Sequence, residues 1–202
     1  MQAHPIFAFV AGLLVGGSAV YLFTMNAGHT GHTHHDHHPI ADPYDTEYHV
    51  HADFHIVVNG TKVDLSGDAF QTTSEQELHD HLHLHDNNGD TLHIHAEGLT
   101  FAEFLSSLGI EITNECITLD NQYCSNDTEE LLLFVNNEQY TDDLTTYIPV
   151  DDDRILLYYG EFDEGIIRPL LDAVPNDACY YSGTCPERGV APPESCGETC
   201  EL

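Results

Sequence analysis

Residues 78–95 read L-H-D-H-L-H-L-H-D-N-N-G-D-T-L-H-I-H and contain six histidines. Successive side chains of a β-strand point to opposite faces, so residues that alternate along a strand collect on separate faces. The alternation of histidine with leucine or isoleucine therefore predicts a β-hairpin with one aliphatic face and one face lined by imidazoles. The imidazoles are those of His79, His81, His83, His85, His93 and His95.

The turn between the two arms sets which residues face each other. A three-residue loop at 87–89 pairs His83 with His93, whereas a two-residue loop would mix the two faces. Gly89 then occupies the loop position that requires a left-handed backbone. Cross-strand neighbours have Cβ atoms about 4.5–5.5 Å apart, and two imidazoles can bind one metal ion from that separation.

A second alternating stretch begins at His49 and ends at the hairpin signal Asn59-Gly60. This turn places Asp64 beside His55. Because two hairpins carry the same pattern, metal binding is favoured over the alternative that the histidines form a solvent-exposed polar face. The predicted ligands are His49, His51, His55, His79, His81, His83, His85, His93 and His95.

The chain is strongly acidic. Its 202 residues include 35 Asp and Glu but only four Lys and Arg, which gives a formal net charge of −31. This charge excludes general affinity for nucleic acids and attracts cations, including metal ions. The near absence of lysine also fits a protein that works in high salt, where the repulsion between like charges is screened.

Residues 6–25 contain no charged side chain and are long enough to span about 30 Å of hydrocarbon as a helix. We predict an uncleaved membrane anchor over residues 1–25; a signal peptide cleaved near Ala19 is the alternative. Residues 26–48 are rich in histidine, glycine and threonine and predict a flexible tether. Gly12 and Gly16 match a helix-pairing motif, which allows a homo-oligomer.

The six cysteines show no C-x-x-C motif, which favours disulfides in an oxidising compartment. We therefore predict a single-pass protein of the cell membrane whose body is extracellular. Cys116 and Cys124 bracket a short loop and are predicted to form a disulfide. Residues 164–202 predict a Cys-rich, disulfide-stapled tail, because their cysteine spacing fits no common zinc site.

One short helix is predicted at 98–109, where Thr100 and Glu103 form a capping box and Gly109 ends the helix. Strands are predicted at 116–119, 131–135 and 154–159. The triplet Asp151–Asp153 precedes the last strand and is interpreted as a solvated turn rather than a calcium site.

This order of elements resembles the β-grasp, or ubiquitin-like, fold, with the hairpin of residues 78–95 inserted before the helix. Residues 49–51 (H-x-H), 82–95 and 99–105 (L-T-F-A-E-F-L) also resemble a group of uncharacterised prokaryotic membrane-anchored envelope proteins. The resemblance covers about 49–160 and implies an extracytoplasmic module without an established activity. The predicted fold class is α+β, a mixed sheet with one short helix over residues 49–163 that follows a single transmembrane helix.

Neutral imidazole is a common ligand of Cu(II) and Zn(II), the two predicted metals. We predict a membrane-anchored extracellular module that binds divalent transition metal for uptake, buffering or delivery. Its partners are then metal ions and, through residues 6–25, the membrane. One alternative is a metalloenzyme in which His83, His93 and His95 bind the metal and Asp86 or Asp90 is the base. Another is a structural surface protein cross-linked by metal.

Overall fold

The computed structural model describes residues 48–73 and 75–192, which form a mixed α+β fold, as predicted. The predicted anchor and tether, up to residue 47, lie outside the described residues, as do Cys196 and Cys200. Within the described ranges, no helix has the length and apolar character needed to cross a membrane.

The described residues contain ten strands and three α-helices. The strands are β1 (Val50–Val58), β2 (Thr61–Lys62), β3 (Leu82–His83), β4 (Thr91–Ile94), β5 (Glu111–Ile112), β6 (Cys116–Thr118), β7 (Gln122–Cys124), β8 (Glu130–Val135), β9 (Glu138–Tyr140) and β10 (Arg154–Gly160). The helices are α1 (Phe101–Ser107), α2 (Glu164–Ala173) and α3 (Ala178–Tyr181).

Strand β1 is the centre of the main sheet, in which the strand order is β3-β4-β1-β10-β8-β9. One edge of β1 runs parallel to β10. Its other edge pairs with β4 over residues 50–53 and with β2 at residues 57–58, both antiparallel. Both histidine-bearing hairpins therefore belong to one sheet.

One face of this sheet is covered by α1. Phe54 of β1 meets the rings of Phe101 and Phe104 edge-to-face, with centroids 5.7 and 5.3 Å apart, and all three side chains are buried. The predicted capping box is confirmed, because Thr100 and Glu103 each accept a hydrogen bond from the other's backbone N–H. The aliphatic residues of β3 and β4 pack in the same core.

The opposite face carries a second apolar core under α2. Ile167 and Leu171 pack there with side chains of β8 and β10. The guanidinium of Arg154 donates hydrogen bonds to the carbonyls of Leu171, Val174 and Pro175. These bonds fix the C-terminal end of α2, and with it the segment that leads to α3.

Two disulfides join cysteines of the described residues. Cys116 and Cys124 are register partners on β6 and β7, and their predicted bond is confirmed. Cys179, within α3, bonds to Cys185, which follows the helix.

The two hairpin turns differ from each other. Asn59 and Gly60 both have positive φ, at 49° and 75°, as the predicted two-residue turn requires. The predicted position of His83 opposite His93 is also confirmed. The predicted left-handed conformation of Gly89 is wrong: Asp86 and Asn87 have positive φ instead, and residues 84–90 connect β3 to β4.

Candidate metal centre

Three adjacent antiparallel strands place histidines in a row across the sheet. His93 on β4 lies opposite His83 on β3 and opposite His51 on β1. The ring of His93 is 4.5 Å from that of His51, edge-on, and 6.1 Å from that of His83, nearly parallel to it.

A second row lies beside the first. His95, directly after β4, donates its backbone N–H to the carbonyl of His81 at 2.8 Å, and its ring stacks on His49 at 4.3 Å. The two rows and His85 form what we call the histidine face. Its members are His49, His51, His81, His83, His85, His93 and His95.

Most of the histidine face is buried. His51, His83, His85, His93 and His95 are each at most 3% exposed. The alternative of a solvent-exposed polar face is therefore wrong for these residues. Part of the cover is α3, whose Tyr181 ring lies 5.6 Å from the ring of His51 and 5.5 Å from that of His93.

His49, His51 and His93 form the cluster best placed to hold a metal ion. Each offers one ring nitrogen, and these three atoms lie within 4.8 Å of one another. In a tetrahedral zinc site with Zn–N bonds of about 2.0–2.1 Å, the nitrogens are about 3.3 Å apart. Small rotations of the rings would therefore bring all three onto one ion.

Hydrogen bonds define which nitrogen of His51 faces the cluster. The hydroxyl of Ser182 donates to the carboxylate of Asp151, which only accepts. Ser182 Oγ therefore accepts the proton of His51 Nδ1, 2.7 Å away. In the neutral ring, this arrangement leaves the lone pair of His51 on Nε2. Histidines that bind metals usually donate their other ring N–H to a hydrogen-bond acceptor in the same way.

Asp53 holds the covering segment against the histidine face. Its buried carboxylate accepts hydrogen bonds from the backbone N–H groups of Asp177 and Ala178, at 2.6 and 2.8 Å, and from the hydroxyl of Thr91 at 2.8 Å. Burial raises the pKa of Asp53, although these hydrogen bonds partly offset the effect. Asp53 thus links the sheet to the start of α3.

Sequence reasoning missed Asp151 and Ser182 as functional residues. Asp151 was expected in a solvated turn, and Ser182 carries no motif. They lie 100 and 131 residues from His51 along the chain, so no local pattern connects them to it. Only the parallel pairing of β1 with β10 and the placement of α3 bring them together.

Two predicted ligands, His79 and His55, lie apart from the histidine face. Nδ1 of His79 accepts the backbone N–H groups of His81 and Leu82, so it shapes the start of β3. At the other end of β1, His55 Nε2 lies 3.6 Å from Asp90. The predicted partner of His55 was Asp64, but that carboxylate bonds to Ser66.

His83 and His95 stack on each other with ring centroids 4.7 Å apart. Within the described part of the chain, the three-histidine group combines His93 with His49 and His51. The ligand set of the metalloenzyme alternative, which combined His93 with His83 and His95, is therefore not the one that the fold brings together.

The donor chemistry of the cluster is that of nitrogen ligands. All four cysteines of the described residues are in disulfides, so they offer no thiolate to a metal. Three neutral imidazoles suit Cu(II) and Zn(II). Comparison of the chain with protein family models, with curated proteins and with solved structures finds no match.

Proposed function

We propose that this chain is a membrane-anchored extracellular module that binds one Cu(II) or Zn(II) ion, for uptake, buffering or delivery. The proximity of His49, His51 and His93, whose candidate ligand nitrogens lie within 4.8 Å of one another, carries the proposal. The net charge of −31 supports it, because it concentrates cations near the protein. The apolar residues 6–25 and the disulfides support the proposed location.

We also propose that the body is β-grasp-like and related to prokaryotic envelope proteins. The strand order β2-β1-β10-β8-β9, with β1 and β10 parallel at its centre, supports this proposal. The hairpin of β3 and β4 then extends the sheet at the N-terminal half of β1. This extension adds His83, His93 and their neighbours to a face where β1 already presents His51.

The burial of two of the three clustered histidines favours a binding role within one molecule. His51 is 1% exposed and His93 is 0% exposed, whereas His49 is partly exposed. A metal ion that cross-links two molecules must reach ligands on both surfaces, so the structural alternative is less well supported. A catalytic ion must leave a coordination position open to substrate, and buried ligands disfavour such access.

The test is metal affinity of the full-length protein at free Cu(II) and Zn(II) concentrations fixed by chelators. We expect one tight site in the unmodified chain and its loss in the triple variant His49→Gln, His51→Gln, His93→Gln. X-ray absorption of the loaded protein should show imidazole nitrogens in the first coordination shell.

The matched control replaces three tether histidines, His32, His34 and His35, with glutamine. It removes the same number of imidazoles but leaves the cluster intact, so the tight site should remain. Circular dichroism of each apo variant checks folding. Absence of a tight site in the unmodified chain, or its equal loss in the control, would contradict the proposal.

A further inference from the structure

A second line of hydrogen bonds reaches the cluster from the loop that connects β3 to β4. Nδ1 of His85 lies 2.8 Å from a carboxylate oxygen of Asp86. Nε2 of the same ring lies 3.2 Å from Nδ1 of His93. We propose that His85 and Asp86 are positioning residues that set the tautomer of His93, and that His85 is not itself a ligand.

The direction of each bond follows from the chemistry of the groups. A carboxylate only accepts hydrogen bonds, so His85 must donate from Nδ1. In a neutral imidazole the other nitrogen is then an acceptor, and Nε2 of His85 accepts the proton of His93 Nδ1. The lone pair of His93 is therefore on Nε2. This inference rests on the proposed function, because it assigns Nε2 of His93 as a metal ligand.

The two hydrogen-bond relays act on His51 and His93 in the same way. Asp151 acts on His51 through Ser182, and Asp86 acts on His93 through His85. In both cases Nδ1 holds the proton and Nε2 is the metal-binding atom. Such outer hydrogen bonds fix ring orientation and raise the basicity of the ligand.

The backbone places Asp86 in a turn next to His85. Asp86 and Asn87 both have left-handed backbones, with φ of 57° and 58°, and this turn follows directly after His85. Left-handed conformations cost energy for residues other than glycine, although Asp and Asn tolerate them best. The His85 side chain is 2% exposed and the Asp86 side chain 54%, so a surface carboxylate acts on a buried ring.

Asp86→Asn is the sharpest test, because asparagine suits the left-handed backbone and keeps the size of the side chain while removing its charge. Long-range proton–nitrogen NMR of the metal-free, full-length protein with labelled histidine reads the tautomer directly. We expect His93 to carry its proton on Nδ1 in the unmodified chain. We expect a mixture of tautomers in Asp86→Asn and in His85→Gln.

Loss of the carboxylate should also weaken Zn(II) binding, by roughly 10–100-fold, as is typical when such outer partners are removed. Asp64→Asn is the matched control, because it removes one exposed aspartate charge away from the histidine face. We expect its affinity and its His93 tautomer to equal those of the unmodified chain.

The outcomes separate this inference from the proposed function. If His93 is protonated on Nδ1 but no metal binds, the proposed function fails and the hydrogen-bond relay stands. A proton on Nε2 of His93 overturns the relay whether or not metal binds. Binding of a second zinc ion that requires His85, or direct coordination by His85, also overturns it.

Discussion

The backbone of Gly89 lies against the chain that follows β2. A Cβ atom at this position would be 2.6 Å from both the carbonyl carbon of Leu65 and the nitrogen of Ser66. Both are backbone atoms, which cannot rotate away as a side chain could. Glycine is therefore required here by close packing of two loops.

Replacement of Gly89 with alanine should destabilise the fold by about 1–3 kcal/mol, the usual cost of overpacking. Urea unfolding followed by circular dichroism measures the change. Gly67→Ala is the control, because no atom lies within 4 Å of a Cβ at Gly67. Equal stability of Gly89→Ala and Gly67→Ala would show that the two loops can separate at little cost.

The face of the sheet on which each histidine and leucine of the hairpin lies was predictable from the sequence. The period of two separated histidines from leucines and set His83 opposite His93. The predicted left-handed backbone of Gly89 followed from assuming a short, three-residue hairpin loop at 87–89. In the structure Asn88 Oδ1 accepts the backbone N–H groups of Asp90 and Thr91 instead, so an asparagine side chain shapes the entry to β4.

Helix α1 shows what a local signal predicts well. The side chain of Glu103 accepts hydrogen bonds from the N–H and hydroxyl of Thr100, at 2.7 and 2.8 Å. These bonds lower the pKa of Glu103. A group whose folded-state pKa is depressed stabilises the fold above its unfolded pKa, and this contribution is lost as pH falls through the folded value.

Replacement of Glu103 with glutamine should therefore have a pH-dependent effect. Glutamine can keep the capping box but not the negative charge near the helix N-terminus, so we expect a loss of about 0.3–1 kcal/mol at neutral pH. The difference from the unmodified chain should fade below pH 4.5, as the glutamate takes up a proton. Urea unfolding from pH 3 to 8 measures this profile.

Thr100→Ser is the control for this comparison, because serine retains the hydroxyl that caps the helix. Its stability relative to the unmodified chain should not vary with pH. A constant difference between Glu103→Gln and the unmodified chain from pH 3 to 8 would mean that the charge contributes nothing.

Strand β1 was predictable as an element, but its neighbours were not. Its alternation and the Asn59-Gly60 turn are local signals, and both are confirmed. Its pairing with β4 and β10 joins segments far apart in sequence, and no residue pattern within β1 encodes that choice. The three-histidine cluster depends on the pairing with β4, so the separate histidine patterns were predictable from the sequence and the grouping of His49, His51 and His93 was not.

The charge of the full chain has a thermodynamic effect that no single residue shows. The net charge is −31, and the chain has only four cationic side chains. Repulsion between the carboxylates therefore opposes the compact state. The Debye length falls from about 10 Å at 0.1 M salt to about 3 Å at 1 M. We expect the free energy of unfolding to rise with NaCl concentration over this range.

Urea unfolding at fixed pH measures this dependence. A variant with Asp120→Asn and Asp142→Asn, both exposed, should show a weaker rise because it carries two fewer negative charges. A free energy of unfolding that stays flat or falls with NaCl would show that repulsion between carboxylates is not a major term.

The hydrogen bond between His51 and Ser182 joins residues that are synthesised at different times. The two residues are 131 positions apart, and a ribosome adds about 5–20 residues per second, so roughly 7–26 seconds separate their synthesis. During that interval the imidazole of His51 lacks the hydroxyl that orients it. The ordered geometry is thus available only to a chain that has been translated through residue 182.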